Sequence, residues 1–179
     1  EHEAELDGYS VEIYATDYAK DALAKARKGL YSQFEVQRGL PVSLLVKHFD
    51  KREKGWELKQ EIRGMVKFGE NNLVREVPGG DFNVIFCRNV LIYFDEPTKR
   101  KVLARLAGAL ALDGWLVLGA AETTTGLCND FIVASGGPRG VYRPAKHAAT
   151  LEAGEASCCV QADESVLGRS AKRLAGAKR

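Results

Sequence analysis

The segment Cys87-Arg88-Asn89-Val90-Leu91-Ile92-Tyr93-Phe94-Asp95 is where this sequence most plainly offers chemistry. An apolar run, Phe82-Asn83-Val84-Ile85-Phe86, ends there and an Arg-Asn pair follows at once. Burying an arginine at the end of a strand is costly unless a carboxylate or a ligand meets it. Tyr93 follows four residues after Asn89, just before the next helix begins. A structural salt bridge with a packed tyrosine would explain the same residues, but the combination reads better as a functional site. Two weaker clusters accompany it. Asp17 follows the apolar stretch Val11–Ala15, where its carboxylate can accept hydrogen bonds from both hydroxyls of a ribose or can cap the helix that starts next. Asn71-Asn72-Leu73 follows another apolar stretch. An Asn side chain both donates and accepts, which suits an adenine edge, although taken alone the cluster reads as a polar loop with one left-handed residue.

These three clusters share a position, the carboxyl end of a strand, where open parallel α/β sheets bind their ligands. Val11-Glu12-Ile13-Tyr14-Ala15 reads as a short strand, and Ala19, Ala22, Leu23, Ala26 and Leu30 then recur at helical spacing, with Gly29 as the stop. From Pro41 to Phe68 the character changes. Charges crowd in between Lys47 and Arg63, Trp56, Leu58 and Ile62 fit a strand of period two, and Lys54-Gly55 and Arg63-Gly64 look like turns. The expectation is a small antiparallel meander inserted into the α/β pattern, with Met65–Phe68 as its next strand. Phe82–Phe86 reads as a buried strand. A helix follows with Asp95 as N-cap and Pro97 in its first turn, and Val102, Leu103, Leu106, Ala107 and Leu110 form its inner face. After a turn at Asp113-Gly114, Trp115–Leu118 is a second buried strand, so the crossover should be right-handed and parallel. Phe131–Val133 and Gly140–Arg143 can close the sheet as a hairpin.

Composition narrows the function. The chain has 179 residues, 45% of them hydrophobic, and a net charge of +2. Six of the 26 basic and four of the 24 acidic residues lie from Ala145 onward, which leaves 20 of each sign before it. The neutral body carries no basic stripe, which argues against nucleic acid as a partner. No apolar run reaches membrane-spanning length and no signal peptide is evident, so no direct membrane insertion is expected. Cys87, Cys128, Cys158 and Cys159 form no CxxC pair, and no histidine stands at metal-ligand spacing, so reduced thiols in a cytoplasmic protein without a metal are expected. The tail 145–179 is rich in Ala, Gly, Ser, Lys and Glu and is expected to be a disordered tail or linker, with at most a short helix near its end.

Phe82 to Asp95, taken as one stretch, closely resembles the hallmark segment of CheR-type chemotaxis methyltransferases, which transfer methyl groups from S-adenosylmethionine to glutamate side chains of chemoreceptors. Ala15-Thr16-Asp17, with Ala22-Leu23, Ala26-Arg27 and Gly29-Leu30-Tyr31, is similar to that family's second strand and helix. The region around Trp56 resembles its β-subdomain, Asn72-Leu73 its adenine-side contact, and Gly114–Gly119 followed by Glu122 its fifth strand and exit. The resemblance spans residues 9–144. It implies a Rossmann-like α/β fold with a small antiparallel insertion over residues 41–68, and S-adenosylmethionine as cofactor. It implies that Asp17 binds the ribose, Asn72 and Leu73 border the adenine, Arg88 and Asn89 contact the cofactor near the substrate entrance, and Tyr93 lies close to the transferred methyl.

Against the family pattern, the helical N-terminal domain, the first strand and the glycine-rich loop after it (roughly Gly-Cys-Ser-Thr-Gly-Glu-Glu in relatives) are missing. The first strand lies between the second and fourth, so the expectation is a fragment of a methyltransferase domain over residues 1–144 that lacks the middle of its sheet and binds cofactor weakly. Chemoreceptors are the expected partners and a monomer the expected state. Two other readings remain open at this point: a non-catalytic receptor-binding remnant, and a nicotinamide-dependent oxidoreductase, which leaves the Arg88-Asn89…Tyr93 segment without a reason.

Overall fold

The computed structural model describes residues 8–134 and 137–146, and the division between its two structural units falls between Asn72 and Leu73. The expected tail, including Cys158 and Cys159, lies outside the described residues from 147 onward.

In the first unit, β1 (Ile13–Asp17) runs into α1 (Lys20–Lys28). The helix stops where Gly29 takes a left-handed φ of 68° and its N–H returns to the Lys25 carbonyl, a closure that glycine adopts without a Cβ penalty. The chain then enters the small sheet directly. β2 (Leu30–Tyr31) pairs antiparallel with β4 (Gly55–Leu58), which pairs on its other side with β3 (Phe49–Arg52). Two short helices, α2 (Gln33–Val36) and α3 (Val42–His48), connect β2 to β3. Ser32 and Glu35 form a reciprocal capping box at the start of α2. Trp56 donates its indole N–H to Gln33 at 2.8 Å, and the Lys51 ammonium lies 4.7 Å from the centre of its ring.

A small antiparallel sheet is present, but not with the expected bounds of 41–68: its first strand is Leu30–Tyr31 and its antiparallel pairing is confined to residues 30–58. Ile62, read as a strand residue of period two, belongs instead to a helical turn, α4 (Gln60–Gly64). The run Gln-Glu-Ile-Arg is made of fair helix formers, and the N–H groups of Ile62 and Arg63 both bond the Lys59 carbonyl. Met65–Phe68, expected as the meander's next strand, is not part of it: β5 (Val66–Glu70) pairs in parallel with β1, Ile13 opposite Val66 and Asp17 opposite Glu70, so this strand belongs to the parallel α/β pattern.

In the second unit, β6 (Phe82–Cys87), α5 (Glu96–Ala109) and β7 (Leu110–Leu118) form the expected parallel crossover. Asp95 caps α5 by accepting from the Thr98 N–H at 3.0 Å, and Pro97 stands in the first turn. Val102, Leu103 and Leu106 of α5 pack with Leu110, Leu116 and Leu118 of β7 into one core, to which Leu91, Phe131 and Tyr142 contribute. Asp113-Gly114, read as a turn, lies within β7 at the point where the pairing with β6 slips between Phe82 and Val84. β8 (Phe131–Val133) and β9 (Val141–Pro144) form the expected hairpin, with β9 inserted against β7 to give the order β6-β7-β9-β8.

One expectation is corrected here. β6 is buried on one face only: Ile85 and Cys87 turn toward the core, while Val84 is exposed and Phe86 is 68% exposed. An apolar run cannot reveal whether both faces are covered. Among the described residues no strand pairs with the second edge of β1 or of β6.

Leu103→Ala should destabilise the second unit by about 2–5 kcal/mol, because a fully buried side chain leaves a cavity. Val46→Ala, on the exposed side of α3, should stay within about 0.5 kcal/mol. Denaturant titration of each variant measures the difference.

Candidate functional site

Asp17 lies in the first unit at the carboxyl end of β1, beside the carboxyl end of its parallel neighbour β5. The Asn71 N–H donates to the Asp17 carbonyl at 3.1 Å, so the ladder continues one step beyond Glu70 and brings Asn71 and Asn72 next to Asp17 in the chain fold. Asp17 is exposed, and its Oδ1 accepts from the Ala19 N–H at 2.8 Å. This bond joins the strand to the helix but is not the N-cap itself, since α1 begins at Lys20. Oδ2 makes no hydrogen bond among the described residues. The helix-cap alternative is therefore not what the structure shows: one carboxylate oxygen is held by the Ala19 amide ahead of the helix and the other is not. Asn71 is buried and Asn72 half-buried.

Leu73, Arg88, Asn89 and Tyr93 belong to the second unit. Leu73 packs against its core. Arg88 and Asn89 follow β6 directly. Arg88 is exposed and makes no ion pair among the described residues, so neither the expected burial nor the structural salt bridge is found. Asn89 has a φ of 61°, the left-handed region that Asn tolerates better than most residues. A single 3-10 turn, Leu91–Tyr93, follows. Leu91 is anchored in the core, while the Tyr93 side chain is 80% exposed.

The turn is held from the neighbouring strand. β6 and β7 are parallel with Cys87 opposite Leu118, so the residues just past both strands meet at one edge. Glu122 stands in a tight turn there, its N–H bonded to the Gly119 carbonyl at 3.0 Å. Its carboxylate Oε1 accepts from Val90 at 2.9 Å and Leu91 at 2.7 Å, and Oε2 accepts from Asn89 at 2.7 Å and Gly119 at 2.6 Å. Glu122 is only 8% exposed, and no cation pairs with it among the described residues. Burial pushes its carboxyl up, but the four N–H donors together outweigh this and hold it below the usual carboxylate range. Gly119 is required by the close approach: a Cβ there would lie 2.6 Å from Glu122 Oε2 and 3.0 Å from the Asn89 nitrogen.

Cys87 ends β6 beneath this turn. Burial, reinforced by the charge of Glu122, pushes its thiol up to about 11, so it is a neutral packing group and not a nucleophile at physiological pH. Among the described residues no cluster of His, Cys, Asp and Glu can hold a metal ion, and no helix is long and apolar enough to cross a membrane. The sequence alone gave Glu122 no part in the site. The signal was a lone acidic residue shortly after a buried strand, whose partners lie some thirty residues earlier in the chain.

Residues 2–138 match the family described as CheR methyltransferase, SAM binding domain. The chain is 38% identical over 135 residues to "Chemotaxis protein methyltransferase 1" of Pseudomonas aeruginosa, covering 74% of this chain and 49% of that protein. It is 38% identical over 136 residues to the protein of the same name in Vibrio cholerae, covering 75% and 50%. It is 35% identical over 134 residues to "Chemotaxis protein methyltransferase Cher2" of Pseudomonas putida, covering 74% and 49%. The chain spans about half the length of these relatives.

The Glu122 geometry gives a pH dependence of definite sign. Its folded carboxyl titrates below the unfolded value of about 4.3, so its stabilisation is fully present above that value and is lost as pH falls through the lower folded one. Denaturation midpoints of the native protein should therefore drop as pH is lowered below about 4.3. The drop should be shallower in Glu122→Gln, which has no such proton to take up.

Proposed function

Because the chain belongs to the CheR methyltransferase SAM-binding family, we propose that it is part of an enzyme that transfers a methyl group from S-adenosylmethionine to glutamate side chains of chemoreceptors, and that it acts in the cytoplasm as a monomer. The observation that carries this reading is the paired carboxyl edge of β1 and β5, where an unengaged carboxylate oxygen of Asp17 stands beside Asn71-Asn72. That donor and acceptor set fits a nucleoside: an acceptor for ribose hydroxyls next to amide groups suited to a base edge. In this reading Asp17 holds the ribose, and Asn72 and Leu73 border the adenine. Arg88 and Asn89 contact the cofactor where the substrate enters.

When bound, S-adenosylmethionine supplies an electrophilic methyl on a sulfonium. The receptor glutamate is already ionised at neutral pH, so the protein needs no general base. The task left to its residues is orientation and exclusion of water. Arg88, exposed and without a carboxylate partner among the described residues, is suited to grip a carboxylate in bidentate fashion. Tyr93 offers a ring and hydroxyl that favour nearby positive charge. The meander over residues 30–58 and its helices carry mixed charge, and we assign receptor docking to the insertion read over residues 41–68. Residues 1–144 then form the methyltransferase portion, and 145–179 a linker.

The test uses the full-length protein, with calorimetric binding of S-adenosylhomocysteine and transfer of labelled methyl to a receptor's cytoplasmic fragment. Asp17→Ala should weaken binding about 10- to 100-fold, as expected for losing hydrogen bonds to a charged group. Tyr93→Phe and Arg88→Ala should lower the rate of transfer more than they lower binding. Full activity in both variants would refute the roles given to those two residues, and absence of cofactor binding by the wild type would refute the function.

A further inference from the structure

Glu122 has no part in the roles assigned above, yet more backbone donors converge on its carboxylate than on any other among the described residues. We propose that Glu122 is a positioning residue for the methyl transfer, fixing the Asn89–Leu91 turn and through it the presentation of Arg88 and Tyr93. The inference rests on the function proposed above and deepens it.

Three observations carry it. β6 ends at Cys87, and the backbone bonds within the following turn, Tyr93 to Val90 at 3.2 Å and Phe94 to Leu91 at 3.1 Å, close the turn only on itself. The N–H groups of Asn89, Val90 and Leu91 bond nothing but Glu122 among the described residues, so that carboxylate is the polar tie between the turn and the neighbouring strand. Leu91 adds an apolar anchor, which fixes the depth of the turn but not the direction of its peptide planes. Second, the acceptors are divided two and two between the oxygens. An amide in this place cannot substitute, because in either orientation its NH2 group faces two N–H donors. Third, Asn89 is held in a left-handed conformation, and both Arg88 and Tyr93 lie within four residues of it. Releasing its N–H removes the constraint that sets the direction of the chain between them.

The experiment takes the full-length protein and Glu122→Gln, with Gly119→Ala as a second variant that displaces the carboxylate without removing it. Transfer kinetics, amide hydrogen exchange and the double mutant with Tyr93→Phe are measured together. The expected result for folded Glu122→Gln is a fall in kcat of about 100-fold, the scale of a misplacement near 1 Å. Exchange should rise roughly tenfold or more at Asn89, Val90, Leu91 and Gly119, while Val102, Leu103 and Leu106 of α5 stay protected. Tyr93→Phe should then cost little more in the Glu122→Gln background, because the two act as one unit. A folded variant with kcat within about twofold of wild type overturns the proposal. So does exchange that rises uniformly through α5 with the Tyr93→Phe penalty intact, which is the signature of a purely structural role. If Glu122→Gln does not fold, Gly119→Ala must show the same pattern, and its full activity overturns the proposal. A wild type that transfers no methyl sinks the proposed function itself, whereas unchanged exchange at residues 89–91 sinks only the hold by Glu122.

Discussion

A buried carboxylate that faces no cation is stable only while dipoles replace the water it has lost. At Glu122 four backbone N–H groups do this, three from the turn after β6 and one from its own turn after β7. The three after β6 would otherwise need another acceptor, since the ladder of β6 has already ended. The charge and the donors thus satisfy one another, and neither has an alternative nearby. Gly119 completes the arrangement by having no Cβ, which lets Asn89 and Glu122 approach from two sides.

This edge exists because of the crossover beneath it. α5 buries Val102, Leu103 and Leu106 against β7. The connection makes β6 and β7 parallel, so that their carboxyl ends open on the same side. The loop beyond Glu122 is tied back to the same helix. Arg100 of α5 reaches the carbonyls of Gly126 and Leu127 while paired with Glu96. Buried Thr124 accepts from Leu127 and Cys128 through its carbonyl. The turn that carries Glu122 is therefore set on a framework fixed at both of its ends.

Much of this was legible from residue order alone, and for physical reasons. Asp95 with Pro97, and Gly29 after an amphipathic run, are local signals, and the structure shows both doing what their backbone chemistry favours. The period of Val102, Leu103 and Leu106 gave the inner face of α5 because helical geometry repeats within a few residues. What failed was information that sequence does not carry locally. Ile62 fitted a period of two by coincidence, while the helix-forming residues around it decided its conformation. Phe86 belongs to an apolar run, but whether its face is covered depends on other elements. Asp17 and the Arg88-Asn89 pair were singled out because they follow apolar runs, and the structure places them at strand ends. Glu122 was passed over because its meaning lies in three amides that only a parallel register brings to it.

The two units handle their strand ends differently. In the first, one Asp17 oxygen is committed to the Ala19 amide and the other is not. In the second, the backbone from Asn89 to Leu91 is committed to Glu122, while Arg88 and Tyr93 extend into solvent. In the second unit main-chain hydrogen bonds fix where the side chains start and leave their polar atoms unspent, whereas in the first one carboxylate oxygen of Asp17 is itself engaged and the other is not. A long arginine that must be immobilised on binding costs up to about 2 kcal/mol of rotamer freedom. That cost is tolerable only if the backbone beneath it needs no further ordering, because each additional residue fixed would add about 1–2 kcal/mol. Rigid turns bearing exposed polar tips are thus the economical design for a ligand edge.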